Sequence, residues 1–133
     1  MRMRENQVRP IVAALGIGTL IFGVAPVLAP RQFARLFGFP APDLAVASMI
    51  RSLGVRDVVM GLGLWSAAAH HGKFAPWLLA RTLTDGGDAL AISLAASSGY
   101  RPPRFLALGA LALGAAGGDT ALYWTTRQSA RNA

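Results

Sequence analysis

Residues 44–69 have the sequence LAVASMIRSLGVRDVVMGLGLWSAAA, an apolar stretch long enough to cross a bilayer as a helix. Arg56 and Asp57 lie at its middle. An ionised side chain at the centre of a bilayer costs at least ~2.5–3.5 kcal/mol, so such side chains usually face a bundle interior, pair with one another or line a functional path. The stretch therefore predicts a membrane helix whose charged residues face other helices.

Three more stretches have the same apolar character, at residues 9–29, 75–98 and 103–127. Together the four stretches predict an all-α integral membrane bundle of four transmembrane helices, forming one domain over residues 1–133. The composition agrees, because only 14% of the residues are charged, against about 25% in an average soluble domain. A soluble helical protein is the alternative, but at this length it would have to bury nearly every helix face.

The first apolar stretch also fits a secretory signal peptide. A positive start precedes its apolar core, and residues 27–29, Val-Leu-Ala, imitate a cleavage site. Pro30 directly after that site argues against cleavage. A first transmembrane helix is therefore the favoured interpretation.

A short amphipathic segment, residues 30–38, follows the first helix, with Gly38 suited to its C-terminal cap. Arg31 and Arg35 share one face, and apolar side chains occupy the other, namely Phe33, Leu36 and Phe37. This pattern predicts an interfacial helix lying on the membrane, and a connector packed on the bundle is the alternative. Asp43 is placed to cap the next helix.

The basic residues, which give the chain a net charge of +7, are scattered near the predicted helix ends. Scattered flanking charges are typical of membrane proteins rather than of nucleic-acid binding, so no nucleic-acid partner is predicted. With four spans both termini share one side, which collects Arg2, Arg4, Arg9, Lys73, Arg127 and Arg131, whereas the other side has Arg31, Arg35, Arg101 and Arg104. The excess predicts a multi-pass protein of the cell membrane, here a bacterial cytoplasmic membrane, with cytoplasmic termini.

The charged residues inside the predicted helices have usable geometry. Arg81, Asp85 and Asp88 share one face of the third long helix, since positions four or seven apart nearly eclipse. On the fourth, Asp119 and Tyr123 are four apart, so the tyrosine hydroxyl could support the carboxylate or a ligand.

The depth of each charge suggests its partner. With a rise of ~1.5 Å per residue, Arg81 and Asp119 are both displaced toward the side of the termini and are expected to pair. Arg56 lies near mid-bilayer and is expected to meet Asp85 or Asp88. Asp57 is adjacent to Arg56 and splays from it by roughly a quarter turn.

Two deep arginines face four acids, so at least one carboxylate is expected to hold a proton part of the time unless Arg51 or a bound cation joins them. Asp85 and Asp88 are then candidate catalytic residues, acting as acid and base on a lipophilic substrate. The remaining charged residues and Tyr123 form a candidate binding cluster, namely Arg56, Asp57, Arg81, Asp119 and Tyr123. The alternative is a structural network that fixes helix register.

No cofactor and no metal site are predicted. His70 and His71 are adjacent and diverge at a helix end, and no nearby acid completes a site. The chain has no cysteine, which excludes disulfide, thiolate and cysteine-zinc chemistry.

Stripes of small residues predict close helix packing. Ala110, Gly114 and Gly118 recur at four-residue steps, and Gly54 and Gly61 are seven apart. These faces could pack against neighbouring helices or against a second subunit.

Residues 51–61, RSLGVRDVVMG, and residues 85–89, DGGDA, resemble a family of small four-helix membrane proteins of unknown function. The shared elements are a Gly-x-Arg-Asp-x-x-x-Gly segment in the second long helix and an Asp-containing segment in the third. In size and layout the chain also resembles the DoxX-like proteins, which have been linked to redox-associated membrane complexes. The resemblance implies a four-helix integral membrane fold and supplies no reaction, substrate or cofactor.

The favoured function is therefore a small integral membrane protein with a buried Arg/Asp polar site for a lipophilic or anionic small molecule. A membrane-embedded acid/base enzyme using Asp85 and Asp88, such as an isomerase, cyclase or hydrolase, is the second hypothesis. A non-catalytic accessory subunit of a membrane complex is the third. The expected partners are the lipid bilayer, a lipophilic small molecule, and a second copy or a membrane partner subunit.

Overall fold

The computed structural model describes residues 5–39 and 41–131. The predicted basic start at Arg2 and Arg4 lies outside the described residues, as does the side chain of Arg131. The described part of the chain contains five helices and no strand, and the helices are α1 (Glu5–Leu28), α2 (Pro30–Leu36), α3 (Leu44–Ala69), α4 (Ala75–Ser97) and α5 (Pro103–Arg131). The all-α prediction is confirmed for these residues.

Helix ends follow the local chemistry of their residues. Oδ1 of Asp43 accepts a hydrogen bond from the backbone N–H of Val46 at 2.8 Å, so Asp43 is the N-cap of α3. Gly38 follows α2 with φ of +103°, a conformation that glycine adopts without a Cβ penalty. α1 begins at Glu5, before the start predicted at residue 9, and it continues through Pro10. An internal proline removes only one helical hydrogen bond from a long helix.

α1 and α3 pack with their backbones in direct contact at two pairs of glycines. A Cβ added to Gly61 would lie 2.6 Å from the carbonyl oxygen of Gly16, and one added to Gly54 would lie 2.7 Å from that of Gly23. The glycines are seven apart on both helices, so the contact repeats after two turns. The predicted packing role of Gly54 and Gly61 is confirmed.

The second predicted stripe is not used in the same way. Ala110, Gly114 and Gly118 are exposed on α5, and a Cβ at either glycine would meet nothing within 4 Å. The prediction was wrong for packing within the chain, because α5 contacts α4 through another face, where Gly109 lies against Ile92. Contact of this stripe with a second subunit stays a prediction.

The helices pack mainly as two pairs, α1 with α3 and α4 with α5, and the contacts between the pairs are far fewer. One end of the bundle is filled by a cluster of buried apolar side chains, namely Val8, Val12, Leu64, Ala68, Phe74 and Leu78. At the other end the rings of Phe39, Tyr100 and Phe105 have centroids 5.0–5.8 Å apart, and the Tyr100 hydroxyl donates to the carbonyl oxygen of Gly38 at 2.6 Å. A cleft lies between the pairs in the middle of the bundle.

Two helices of the described chain are long and apolar enough to cross a membrane, over Gln7–Leu28 in α1 and Pro103–Gln128 in α5. α3 and α4 do not reach this standard, since Arg56 and Asp57 in α3, and the charged residues of α4, lower their mean hydropathy. Length and composition therefore support two of the four predicted transmembrane helices. A membrane location is therefore indicated by α1 and α5 alone.

Candidate binding site between the helix pairs

Arg56 joins α3 to α4 across the cleft. Its Nη2 and Nη1 donate to the two carboxylate oxygens of Asp88 at 2.7 and 3.1 Å, which is a bidentate pair. Its Nε and Nη2 also donate to Oδ1 of Asp57 at 3.2 and 3.1 Å. The predicted partner Asp88 is therefore confirmed, whereas Asp85, the alternative partner, binds elsewhere.

Arg81 joins α4 to two other helices. Its Nε donates to Oδ2 of Asp119 in α5 at 2.8 Å, and its Nη1 donates to the hydroxyl of Thr19 in α1. Its Nη2 donates to Oδ2 of Asp85 at 3.2 Å, one turn along the same helix. The predicted Arg81–Asp119 pair is confirmed, and helical spacing explains the contact with Asp85.

Two details of the expected cluster differ from the structure. Arg56 and Asp57 were expected to splay apart, yet they are hydrogen-bonded, because the long arginine side chain reaches back to its neighbour. Tyr123 was expected to support Asp119, but its partly buried ring packs against the apolar end cluster. The guanidinium of Arg127 lies 5.3 Å from the centroid of that ring. Among the described residues no hydrogen bond joins Tyr123 to Asp119, so Tyr123 lies outside the charged cluster.

The charged residues line a cavity of about 380 Å³ between the helix pairs. Both arginines and three of the four aspartates, Asp57, Asp85 and Asp88, contribute to its wall, and Thr19 and Thr84 lie there too. Asp119 is not part of the lining, since it is buried behind Arg81. The structure thus brings the two candidate catalytic residues to one cavity and gives them different arginine partners.

A second cavity of about 350 Å³ adjoins the first, and both walls are mostly apolar; all five charged cavity residues line the first, whereas only Arg56, Asp57 and Asp88 also line the second. Four phenylalanines line it, namely Phe22, Phe33, Phe39 and Phe105. The two cavities share six lining residues, which are Phe22, Arg56, Asp57, Asp88, Leu108 and Ala112. A polar compartment and an aromatic compartment are therefore contiguous along the cleft.

The aromatic lining is the part of the site that sequence reasoning missed. An apolar side chain in a membrane-like helix can face lipid or a cavity, and the residue type does not distinguish the two. The available signal for this compartment in the sequence is Phe33, which lies on the apolar face of the short helix. No group of three histidines, aspartates or glutamates in the described part of the chain could hold a metal ion.

Comparison with known proteins identifies a family without a known role. No curated protein and no solved structure matches the chain. Residues 16–133 match a family described as Domain of unknown function (DUF4267), and this range includes both segments that carried the sequence resemblance. The match agrees with the expected family of unknown function and provides no link to the DoxX-like proteins. Because the match covers most of its length, the chain belongs to the DUF4267 family.

Proposed function

We propose that this protein is a small integral membrane protein that binds a lipophilic small molecule with a polar group in the cleft between its helix pairs. The observation that carries the proposal is the adjacency of the two cavities, whose walls share Arg56, Asp57 and Asp88. Ligand sites are typically concave, mostly apolar and provided with a few polar groups that orient the ligand. The cleft has this combination.

We also propose that all four long helices span the membrane. The cleft-lining charges of α3 and α4 form ion pairs within the bundle, so they are not presented unpaired to lipid. The outward faces of both helices expose large apolar side chains, among them Val55, Val59 and Leu62 of α3 and Leu79, Leu83 and Leu94 of α4. The basic residues near the ends favour termini on the cytoplasmic side.

Labelling of single cysteines tests the four-span arrangement, because the chain has no cysteine of its own. Lys73→Cys lies between α3 and α4, and Ser98→Cys lies between α4 and α5. Four spans place these two positions on opposite sides of the membrane, whereas two spans through α1 and α5 place them on the same side. A membrane-impermeant maleimide applied to sealed vesicles of known orientation should label only one of them. Labelling of both from one side would contradict the proposal.

A matched pair of substitutions on α5 tests the ligand. Ala112 lines both cavities, whereas Ala107 is exposed and lies outside the cavity walls described above. Ala112→Phe should fill the junction, and Ala107→Phe adds the same side chain elsewhere on the helix. Organic extraction of the purified proteins followed by mass spectrometry should recover a small molecule from the wild type and from Ala107→Phe, and much less from Ala112→Phe. Equal recovery from all three would contradict binding in the cleft.

We favour ligand binding over the second hypothesis, in which Asp85 and Asp88 act as a catalytic acid and base. Both oxygens of Asp88 already accept hydrogen bonds from Arg56, so neither is left without a partner in the structure. Asp85 has one oxygen with a partner and remains the better candidate for any proton exchange.

A further inference from the structure

We infer that the ligand of this cleft is a cationic amphiphile, with a positively charged, hydrogen-bond-donating head in the polar cavity and an apolar tail in the aromatic cavity. The inference rests on the proposed function. The sequence led us to expect a lipophilic or an anionic ligand, and the inference selects a lipophilic one with a cationic head. It follows from the cavity walls, where most of the donors are engaged by the protein, two carboxylate oxygens remain available, and aspartates outnumber arginines.

Most N–H groups of Arg56 and Arg81 already donate hydrogen bonds within the protein. Each of the three nitrogen atoms of Arg56 donates to Asp57 or Asp88, and each of those of Arg81 donates to Asp85, Asp119 or a threonine hydroxyl. A guanidinium has five N–H groups, and these bonds use four of those of Arg56 and three of those of Arg81. An anionic group that approached a remaining N–H would come close to the carboxylates already paired with the same guanidinium and would be repelled by them.

The hydroxyl groups of the polar cavity are engaged in the same way. Thr19 donates to the carbonyl oxygen of Leu15 at 2.8 Å, and Thr84 donates to that of Arg81 at 3.0 Å. Since a hydroxyl has one proton to donate, neither side chain has a second donor for a ligand. The threonines can therefore act toward a ligand only as acceptors.

Two carboxylate oxygens in the cavity wall are available to a donor. Asp57 is hydrogen-bonded through Oδ1 and Asp85 through Oδ2, and among the described residues the other oxygen of each has no hydrogen-bond donor. A carboxylate can accept several hydrogen bonds, so Asp57 and Asp85, which both line the cavity, each retain capacity for a further donor. The local charge acts in the same direction, because two arginines face four aspartates. This excess of negative charge attracts a cation and repels an anion.

The second cavity suits the remainder of such a molecule. Phe33, Phe39 and Phe105 line it together with aliphatic side chains, and Phe22 lies at the boundary with the polar cavity. An aromatic ring beside a cationic head adds a favourable cation–π interaction. The order of groups along the cleft, from carboxylates to a boundary ring and then to apolar rings, matches the order of groups in an amphiphilic cation.

Three probes with one tail and different heads test the inference: octylammonium, octanol and octanoate. Binding to the wild-type protein in phosphatidylcholine nanodiscs is measured by calorimetry at pH 7, with empty nanodiscs as the reference. Octylammonium should bind at least ten-fold more tightly than octanoate, with octanol between them. Octanoate binding as tightly as octylammonium, or more tightly, would overturn the inference.

Charge-removing variants locate the preference. Asp57→Asn and Asp85→Asn each remove one available carboxylate, and each leaves its arginine another aspartate, Asp88 for Arg56 and Asp119 for Arg81. Both should therefore fold, and at least one should lose most of the preference for octylammonium over octanoate. Asp43→Asn is the matched control, since it makes the same change at a helix cap outside both cavities. A preference that survives in both cavity variants would overturn the inference.

The Ala112→Phe variant separates this inference from the proposed function. If all three probes bind the wild type equally and Ala112→Phe abolishes that binding, the cleft is a ligand site and the charge inference fails. If no probe binds the wild type, the charge inference fails. If, in addition, no small molecule is recovered from the purified wild-type protein, the proposed function fails with it.

Discussion

Arg56 and Arg81 each bind two aspartates, but they differ in burial. The side chains of Arg81 and Asp119 are 9% and 2% exposed, whereas those of Arg56 and Asp88 are 26% and 33% exposed. Arg81 connects α4 with α1 and α5, while Arg56 lies at the junction of the two cavities. One charged cluster thus contains a buried part suited to holding helices together and an accessible part suited to a ligand.

The largest expected effect is on the buried pair. Asp119→Asn leaves the guanidinium of Arg81 buried with less compensating charge, and removing one partner of a buried ion pair typically costs about 3–5 kcal/mol. We expect a large fall in the melting temperature of the purified protein. The double variant Arg81→Met with Asp119→Leu should recover part of the loss, because it removes both buried charges of the pair; the recovery is partial because Asp85 loses its arginine partner. If Asp119→Asn is as stable as the wild type, the buried pair does not hold the helices together and the comparison with the accessible pair is wrong.

The contact between Arg81 and Thr19 requires a fixed spacing between the helices, and the glycines of α1 and α3 set the position of α1. A Cβ at Gly61 would lie 2.5 Å from the backbone nitrogen of Leu20, so Gly61→Ala must push the two backbones apart. Overpacking of this kind typically costs about 1–3 kcal/mol. Gly114→Ala is the control, since a Cβ there meets nothing, and it should be neutral or stabilising. Thermal unfolding of both variants checks the difference, and equal melting temperatures would contradict the close contact.

The accessible pair is expected to contribute less. Asp88→Asn removes a carboxylate that is a third exposed, and Arg56 keeps Asp57 as a partner. Exposed ion pairs contribute up to about 1 kcal/mol, so the loss of stability should be well below that of Asp119→Asn. The two variants make the same chemical change and can be compared in one thermal unfolding series. If Asp88→Asn is as destabilising as Asp119→Asn, the division between a structural and an accessible part is wrong.

The smallest effect concerns a hydroxyl. Thr19→Val removes the group that accepts from Arg81, and measured contributions of polar contacts between membrane helices average about 0.6 kcal/mol. Thr84→Val removes a hydroxyl that bonds only to the backbone of its own helix in the structure, so it should change stability less. Their unfolding midpoints, measured together, should rank in this order. The opposite order would indicate that Thr19 does not support Arg81.

Helix positions and ion-pair partners could be predicted because both follow from distances along the chain. The Asp43 cap and the Arg81–Asp119 pair depend on spacing and depth, which a helix fixes at a constant rise per residue. The contacts of Gly16 and Gly23 were not predicted, since a close approach depends on the rotation of both helices. The position of Tyr123 was missed for the same reason, because four-residue spacing does not determine which neighbour a side chain meets.

The cleft itself could not be predicted. It exists because α1 packs with α3 and α4 with α5, and this choice of pairs is made by side-chain shape rather than by hydropathy. The phenylalanines of the aromatic cavity, such as Phe39 and Phe105, look in the sequence like any other membrane-facing residues.

Native mass spectrometry on three proteins taken from their own membrane tests the central claim most directly. Ligand binding and stability depend on different parts of the charged cluster. Ala112→Phe should therefore lose the small molecule bound to the wild type while its melting temperature changes little. Folded Asp119→Asn should show the reverse, with a lowered melting temperature and the small molecule retained. A ligand that stays on Ala112→Phe, or that leaves folded Asp119→Asn, would contradict the separation of the two arginine groups.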